Sequence, residues 1–375
     1  MIMRSTPTPF QLQIPEAALA DLRERLSRTR LPDEPPLKPW STGTSLAYMK
    51  DLIPYWQNDF QWRKWEEKLN SFRQFMVPIQ GIDLHFIHQP GRGPNPMPLL
   101  LLHGWPGSIF EFHKIIPLLT QRFTVVAPSL PGYTLSFKPG QKRFGVEEIA
   151  DVFAELMTGV LGYQRFGAQG GDWGAFVSSV LGLKYPERLN GIHLNLLAVR
   201  RDPKEPSQSP EEEQYLKELK HWLREETGYL SIQGTRPQTL AYGLTDSPAG
   251  LAAWIGEKFP KWSDSGGVPD KAIARDELLA NVSLYWFSGA IGSSFWPYYA
   301  RMHAPWPIPE GKTVDVPMGY AAFPKEILRP PRSLAARTYT NIRRWTQMEK
   351  GGHFAALEQP AALAEDVEAF FASLD

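Results

Sequence analysis

Two short runs constrain this chain most. "PLLLLHG" (98–104) and "FTVVAPSL" (123–130) are apolar at nearly every position and end in turn residues, which suits strands buried on both faces of a parallel sheet. Parallel neighbours need crossovers, and helix-like sequence supplies them. "VEEIADVFAELMTGVLG" (146–162) precedes "RFGAQGGDWG", and another helical stretch leads to "GIHLNLL" (191–197). Repeated strand–helix alternation predicts an α/β fold with a mostly parallel central sheet. Upstream, "FRQFMVPIQGIDLHFIHQ" (72–89) alternates about Gly81 and predicts a hairpin.

From about residue 198 to 314 the alternation stops. Charged helical stretches, prolines and aromatics take over, opening with "RRDPKEPSQSPEEEQ" (200–214), which reads as a linker. The alternation resumes with "VDVPMGYAAF" (314–323) and "YTNIRRWTQM" (339–348). It closes with "PAALAEDVEAFFASL" (360–374), whose Leu363, Val367, Phe370 and Leu374 share one helical face. The expected organisation is an N-terminal segment over 1–74, a first part of the core over 75–197, a helical lid over 198–313 and the rest of the core over 314–375. A sheet split in this way places any site between sheet and lid.

Forty basic and forty acidic side chains cancel to a net charge of +0, so no nucleic-acid footprint is expected. The expected partners are small uncharged molecules. There is no cysteine, which removes disulfides, thiolate metal sites and a cysteine nucleophile. His85 and His88 lie three apart in a predicted strand and so point to opposite faces, which argues against a metal pair. The N-terminus lacks the apolar stretch of a signal peptide, and no run approaches the length of a membrane span. A soluble, cytoplasmic protein is expected.

The chemistry centres on "GGDWG". Gly170 and Gly174 flank Asp172 in a small-x-nucleophile-x-small frame between a predicted strand and helix, the pattern of a nucleophile elbow with a carboxylate in place of serine. On this motif alone an aspartate capping the following helix would look the same. Two further features favour a nucleophile. "LLHGWPGS" (101–108) ends a strand, and the backbone N–H groups of Trp105 and Trp173 are then the expected oxyanion hole. "EKGGHFAALEQP" (349–360) places His353 on a glycine-rich turn between the last strand and the last helix, where the base should be. The acid should follow the preceding strand. Glu326 does so, whereas its competitor Asp315 precedes that strand.

With these motifs in place, the chain resembles the microsomal-type (juvenile-hormone-type) epoxide hydrolases of the α/β-hydrolase superfamily. "PFQLQIPEAALADLRERLSRTRLPDE", "HGWPGS", "GGDWG", "FPKE" and "GGHFAALEQP" carry the likeness nearly end to end. The resemblance implies an α/β-hydrolase fold with a helical lid and a family-specific N-terminal segment. It implies that Asp172 attacks an epoxide carbon, His353 activates water and Glu326 orients His353. Two lid tyrosines would polarise the epoxide oxygen. "REETGYLSIQGTRPQTLAYGLTDSPAGLAAWIGEKF" (224–259) puts Tyr229 in the first role, and "IGSSFWPYYARM" (291–302) offers Tyr298 for the second, with Tyr299 as its alternative. The substrates implied are a hydrophobic epoxide and water, with no cofactor or metal. Membrane-bound relatives begin with an apolar anchor, whereas this sequence starts almost directly with the family segment. The assembly is left open between monomer and homodimer. A haloalkane dehalogenase would share the aspartate attack but needs halide donors where Tyr229 stands; a non-catalytic ligand receptor of the same fold would be expected to lose a catalytic member.

Overall fold

The strands β1 (Thr8–Phe10), β2 (Gln74–Ile79), β3 (Ile82–Gln89), β4 (Met97–Leu102), β5 (Phe123–Pro128), β6 (Phe166–Gly170), β7 (Leu189–Leu194), β8 (Met318–Ala322) and β9 (Ile342–Gln347) form one sheet. Their order is β1-β2-β3-β5-β4-β6-β7-β8-β9. The structure is a computed structural model describing residues 6–199 and 205–374. β1, β2, β3 and β5 pair antiparallel in turn, with β2 and β3 joined as a hairpin, while every pairing from β5 through β9 is parallel.

The apolar runs sit where their composition requires. Leu99, Leu100, Leu101, Val125 and Val126 are fully buried in β4 and β5, at the centre of the sheet. Helices cover both faces. The last helix, Pro360–Ala372, lays Leu363, Val367 and Phe370 against the sheet, matching the stripe read from its sequence. Leu374 falls just beyond that helix, partly buried against the core.

Between β7 and β8 the chain is helical, with Pro210–Glu225, Gly228–Thr235, Pro237–Asp246, Pro248–Gly256, Arg275–Ser288 and Trp296–His303 as its longer members. The stretch read as a linker differs in its second half. Residues 200–204 lie outside the described residues, but the helix begins at Pro210, with the Ser209 side chain accepting from the Glu212 N–H. A serine cap, proline in the first turn and three successive glutamates there, Glu211 to Glu213, are strong helix-start signals that outweigh the polar, proline-bearing composition. Several other helices, from Pro237, Pro248 and Pro360, also open with proline in the first turn, which explains part of the proline content.

The N-terminal helices Glu16–Ser27 and Leu46–Asn58 pack on these inserted helices. The Tyr55 hydroxyl donates to Asp276 Oδ1 at 2.6 Å and the Trp56 indole to Ser283 Oγ at 3.0 Å. Among the described residues, no helix is long and apolar enough to cross a membrane.

Candidate active site

β6 ends at Gly170, and Asp172 opens the helix Asp172–Lys184. Its φ is 47°, in the left-handed region that a side chain bearing a Cβ rarely adopts. Strain of this kind survives only where surrounding structure enforces it. Here the enforcement is close packing: a Cβ on Gly174 would fall 2.2 Å from the Leu102 carbonyl oxygen at the end of β4. The bend therefore presses on the neighbouring strand and turns Asp172 outward at the carboxyl ends of the parallel strands, where ligands bind in open α/β sheets.

The turn after β4 meets it. Trp105 N–H donates to Asp172 Oδ1 at 2.8 Å. A Cβ on Gly104 would come within 2.1 Å of that oxygen, so the approach requires glycine. Trp173 follows Asp172 in the first turn of the helix, with its ring 4.8 Å from that of Tyr298.

His353 and Glu326 arrive from the turns after β9 and β8. Lys325 N–H bonds the Gly351 carbonyl at 3.1 Å and ties these two turns together. His353 Nδ1 donates to Glu326 Oε1 at 2.6 Å, and Nε2 lies 3.5 Å from Asp172 Oδ2. Both His353 and Glu326 are buried. Burial pulls the imidazole pKa down, but the carboxylates of Glu326 and Asp172 overcome it and hold the pKa well above the usual value. Asp315, the other acid considered, is exposed and bonded to Thr340, away from this group.

Above Asp172 stand Tyr229 and Tyr298, both about 5 % exposed, from the inserted helices. The Tyr229 ring stacks on Trp105 at 5.3 Å, and the two tyrosine rings lie 5.8 Å apart. Burial first, and then the Asp172 charge, keep the Tyr229 phenol well above its ordinary pKa; for Tyr298 the order is burial, then Tyr229, then Asp172. Both phenols are therefore protonated. Lys258, itself buried and paired with Glu257 at 3.0 Å, places its ammonium 4.6 Å from the Tyr229 ring centre.

A carboxylate on an elbow, a histidine–acid pair behind it and two buried phenols opposite form one constellation. The description "Epoxide hydrolase N terminus" matches residues 7–112, and "alpha/beta hydrolase fold" matches residues 97–240. Epoxide hydrolase 1 of Oryctolagus cuniculus is 38 % identical over 407 residues, covering 96 % of this chain and 87 % of the rabbit protein. The chain belongs to the epoxide hydrolase family. Solved structures agree. The juvenile hormone epoxide hydrolase of the silkworm Bombyx mori superimposes with a TM-score of 0.90 at 31 % identity, over 99 % of this chain and 95 % of that one. The Aspergillus niger epoxide hydrolase does so with a TM-score of 0.87 at 33 % identity, over 99 % and 97 %.

In this epoxide hydrolase the adjacent tyrosines of "PYY" part company. Tyr298 faces Tyr229 and Trp105, whereas Tyr299 stacks on Trp296 and His303 at 5.0 and 4.1 Å, away from Asp172. Glu111, which belongs to no motif read from the sequence, reaches the site as well. Its carboxyl fills the space beside Gly107, where a Cβ would fall 1.3 Å from Oε1. Burial, reinforced by the Asp172 charge against the opposing effect of His353, raises its pKa to about 8. Glu111, Asp172 and His353 line a cavity of ≈ 20 Å³, room for a single water molecule. The only sequence signal for Glu111 is its place one turn beyond a glycine that leaves room for it. His85, by contrast, bonds Ser129 and Gln74, and His88 bonds Tyr163, both far from this chemistry.

Proposed function

We propose that this chain adds water to a hydrophobic epoxide in two steps, through an ester on Asp172, and gives a vicinal diol. The observation that carries the reading is the opposed pair of buried tyrosines over a carboxylate whose oxygens are distinguished: Oδ1 is held by Trp105 N–H and Oδ2 faces His353. An epoxide has no carbonyl to polarise, so the attacking group must already be charged and the leaving oxygen must be met by a proton. Asp172 supplies the first, attacking through Oδ2 as the C–O bond of the ring breaks. Tyr229 and Tyr298 supply the second, hydrogen-bonding the ring oxygen and delivering a proton as the alkoxide forms. The Lys258 charge over the Tyr229 ring favours that donation.

Alkylation changes the electrostatics of the site. With Asp172 esterified, His353 loses one of the two carboxylates that kept it protonated. Its pKa falls when a base is needed. His353, oriented by Glu326, then takes a proton from water in the small cavity, and hydroxide adds to the ester carbon. The oxyanion develops on Oδ1 against the N–H groups of Trp105 and Trp173. Collapse breaks the acyl–oxygen bond as the His353 imidazolium gives its proton to the departing oxygen; the diol leaves, and the proton of the re-formed Asp172 acid returns to the tyrosinate left by ring opening, restoring both groups. Glu111, neutral below about pH 8, offers that water a hydrogen bond without adding a competing charge.

The inserted helices serve as the lid, and the aromatic cluster of Trp105, Trp262 and Tyr229 favours apolar epoxides. The test is a panel of aryl, terminal alkyl and terpenoid epoxides with diol detection, beside haloalkanes with halide detection. Diol without halide is expected; halide release, or no diol from any epoxide, refutes the reading.

A further inference from the structure

The oxyanion step needs Trp105 N–H to be aimed, yet Trp105 lies on an irregular turn where no strand ladder fixes the backbone. The carbonyls that follow it are instead held by the inserted helix Arg275–Ser288. Asn281 Nδ2 donates to the Pro106 carbonyl at 2.8 Å, and Asn281 Oδ1 accepts from Ser108 Oγ at 2.8 Å. The Tyr285 hydroxyl donates to the Gly107 carbonyl at 2.7 Å. All three bonds are buried. Asn281 and Tyr285 are four residues apart, so one face of one helix grips three consecutive residues of the turn. Ser108 Oγ also accepts from Phe110 N–H at 3.1 Å, starting the turn that carries Glu111.

We propose that Asn281 and Tyr285 are positioning residues that aim the Trp105 N–H, so that a lid helix governs ester hydrolysis without governing alkylation. This rests on the covalent route proposed above. The two steps place opposite demands on the donor. In the resting enzyme Trp105 N–H bonds the Asp172 carboxylate. Alkylation drains charge from that carboxylate, so the hydrogen bond is worth less in the transition state than before it. Hydrolysis builds charge on the same oxygen, and the bond is worth more. A loosened turn therefore lengthens the life of the ester while leaving its formation unimpaired. A general loss of packing would slow both.

The experiment compares Tyr285→Phe, which deletes a single oxygen, and Asn281→Leu, which keeps the side-chain shape, with the unsubstituted enzyme. Rapid-quench single turnovers with a reactive epoxide follow ester formation and decay by intact-protein mass. Loss of a complete oxyanion donor costs about 10²–10³-fold, so a donor displaced but still present should slow hydrolysis about tenfold. Ester formation should stay within about twofold, and once hydrolysis limits turnover kcat and KM fall together with kcat/KM retained. Equal slowing of both steps overturns the proposal. So does an unchanged ester lifetime in a folded variant, even one with a lower Tm, because the bonds would then only brace the fold. No ester in the unsubstituted enzyme would overturn the covalent route and the proposal with it.

Discussion

Replacing His353 by glutamine separates two consequences that the structure keeps apart. The first is kinetic. A positioned general base contributes about 10²–10⁴-fold, or about 3–5 kcal/mol of barrier, and in the proposed route only the hydrolysis step uses one. The nucleophile and both tyrosines remain, so alkylation should proceed and the ester should accumulate. The second is thermodynamic. Glu326 is 4 % exposed; its Oε1 is held by His353 and by Ile327 N–H, and its Oε2 has no hydrogen-bond partner among the described residues. Without the imidazole it becomes an uncompensated buried carboxylate, which costs about 3–5 kcal/mol of stability. Adding Glu326→Gln removes that charge, so the double variant should recover much of the stability and none of the hydrolysis. Denaturant melts give the stability. Intact-protein mass after mixing with a reactive epoxide should show one substrate mass added to either variant, and peptide mapping should place it on Asp172. An adduct elsewhere, or none on a folded double variant that binds substrate, would refute the assignment. Equal destabilisation of the single and double variants would refute the account of Glu326.

Asp172→Asn should abolish diol formation at nearly unchanged Tm, because the amide keeps the shape but is a poor nucleophile; sustained diol formation by variant protein free of deamidation would count against it. Tyr229→Phe and Tyr298→Phe should each slow alkylation by about 10–100-fold, the worth of a hydrogen bond to a charged oxygen at about 1.5–3 kcal/mol, with hydrolysis little changed. Tyr299→Phe should alter neither step in the same rapid-quench measurement. Asp366 is a stability probe away from the site: burial opposes its ionisation, but His193, Thr346 and Arg344 prevail and hold its pKa at about 2 against a usual 3.8. A depressed carboxyl contributes stability that is complete above the unfolded value and lost as pH falls through the folded one, here about 2 kcal/mol between about pH 4 and pH 2. Urea melts across that range should show this slope, and Asp366→Asn should flatten it.

The parallel core was legible because strands buried on both faces must be apolar throughout, as in β4 and β5. The elbow, the His353 turn and the position of Glu326 were legible because each follows a strand, and the order of strands along the chain orders the residues at their ends. The choice between Tyr298 and Tyr299 was not. Adjacent residues on a helix point about 100° apart, and only the packing of that helix decides which ring faces Asp172. Glu111 escaped because its position depends on the missing side chain of Gly107, a steric fact without a motif. Asn281 and Tyr285 escaped because two of their three partners are backbone carbonyls about 175 residues earlier in the chain, which any sequence could supply, and the third is the lone hydroxyl of Ser108, which belongs to no pairing pattern. The start of the first inserted helix was misread where local composition looked like a linker and the capping residues pointed the other way.

The grip of the N-terminal helix on Arg275–Ser288 bears on how such enzymes can be recombined. Tyr55 and Trp56 fasten to Asp276 and Ser283, in the same helix whose Asn281 and Tyr285 reach the turn beside Asp172. A chimera that exchanged the inserted helices alone would bring in a helix fitted to a different N-terminal partner, and the mismatch would be felt at Trp105, far from the splice. The transplantable unit is therefore two pieces of chain separated by most of the sheet, residues near 44–58 together with the inserted helices, and substrate scope should move between relatives only when both travel together.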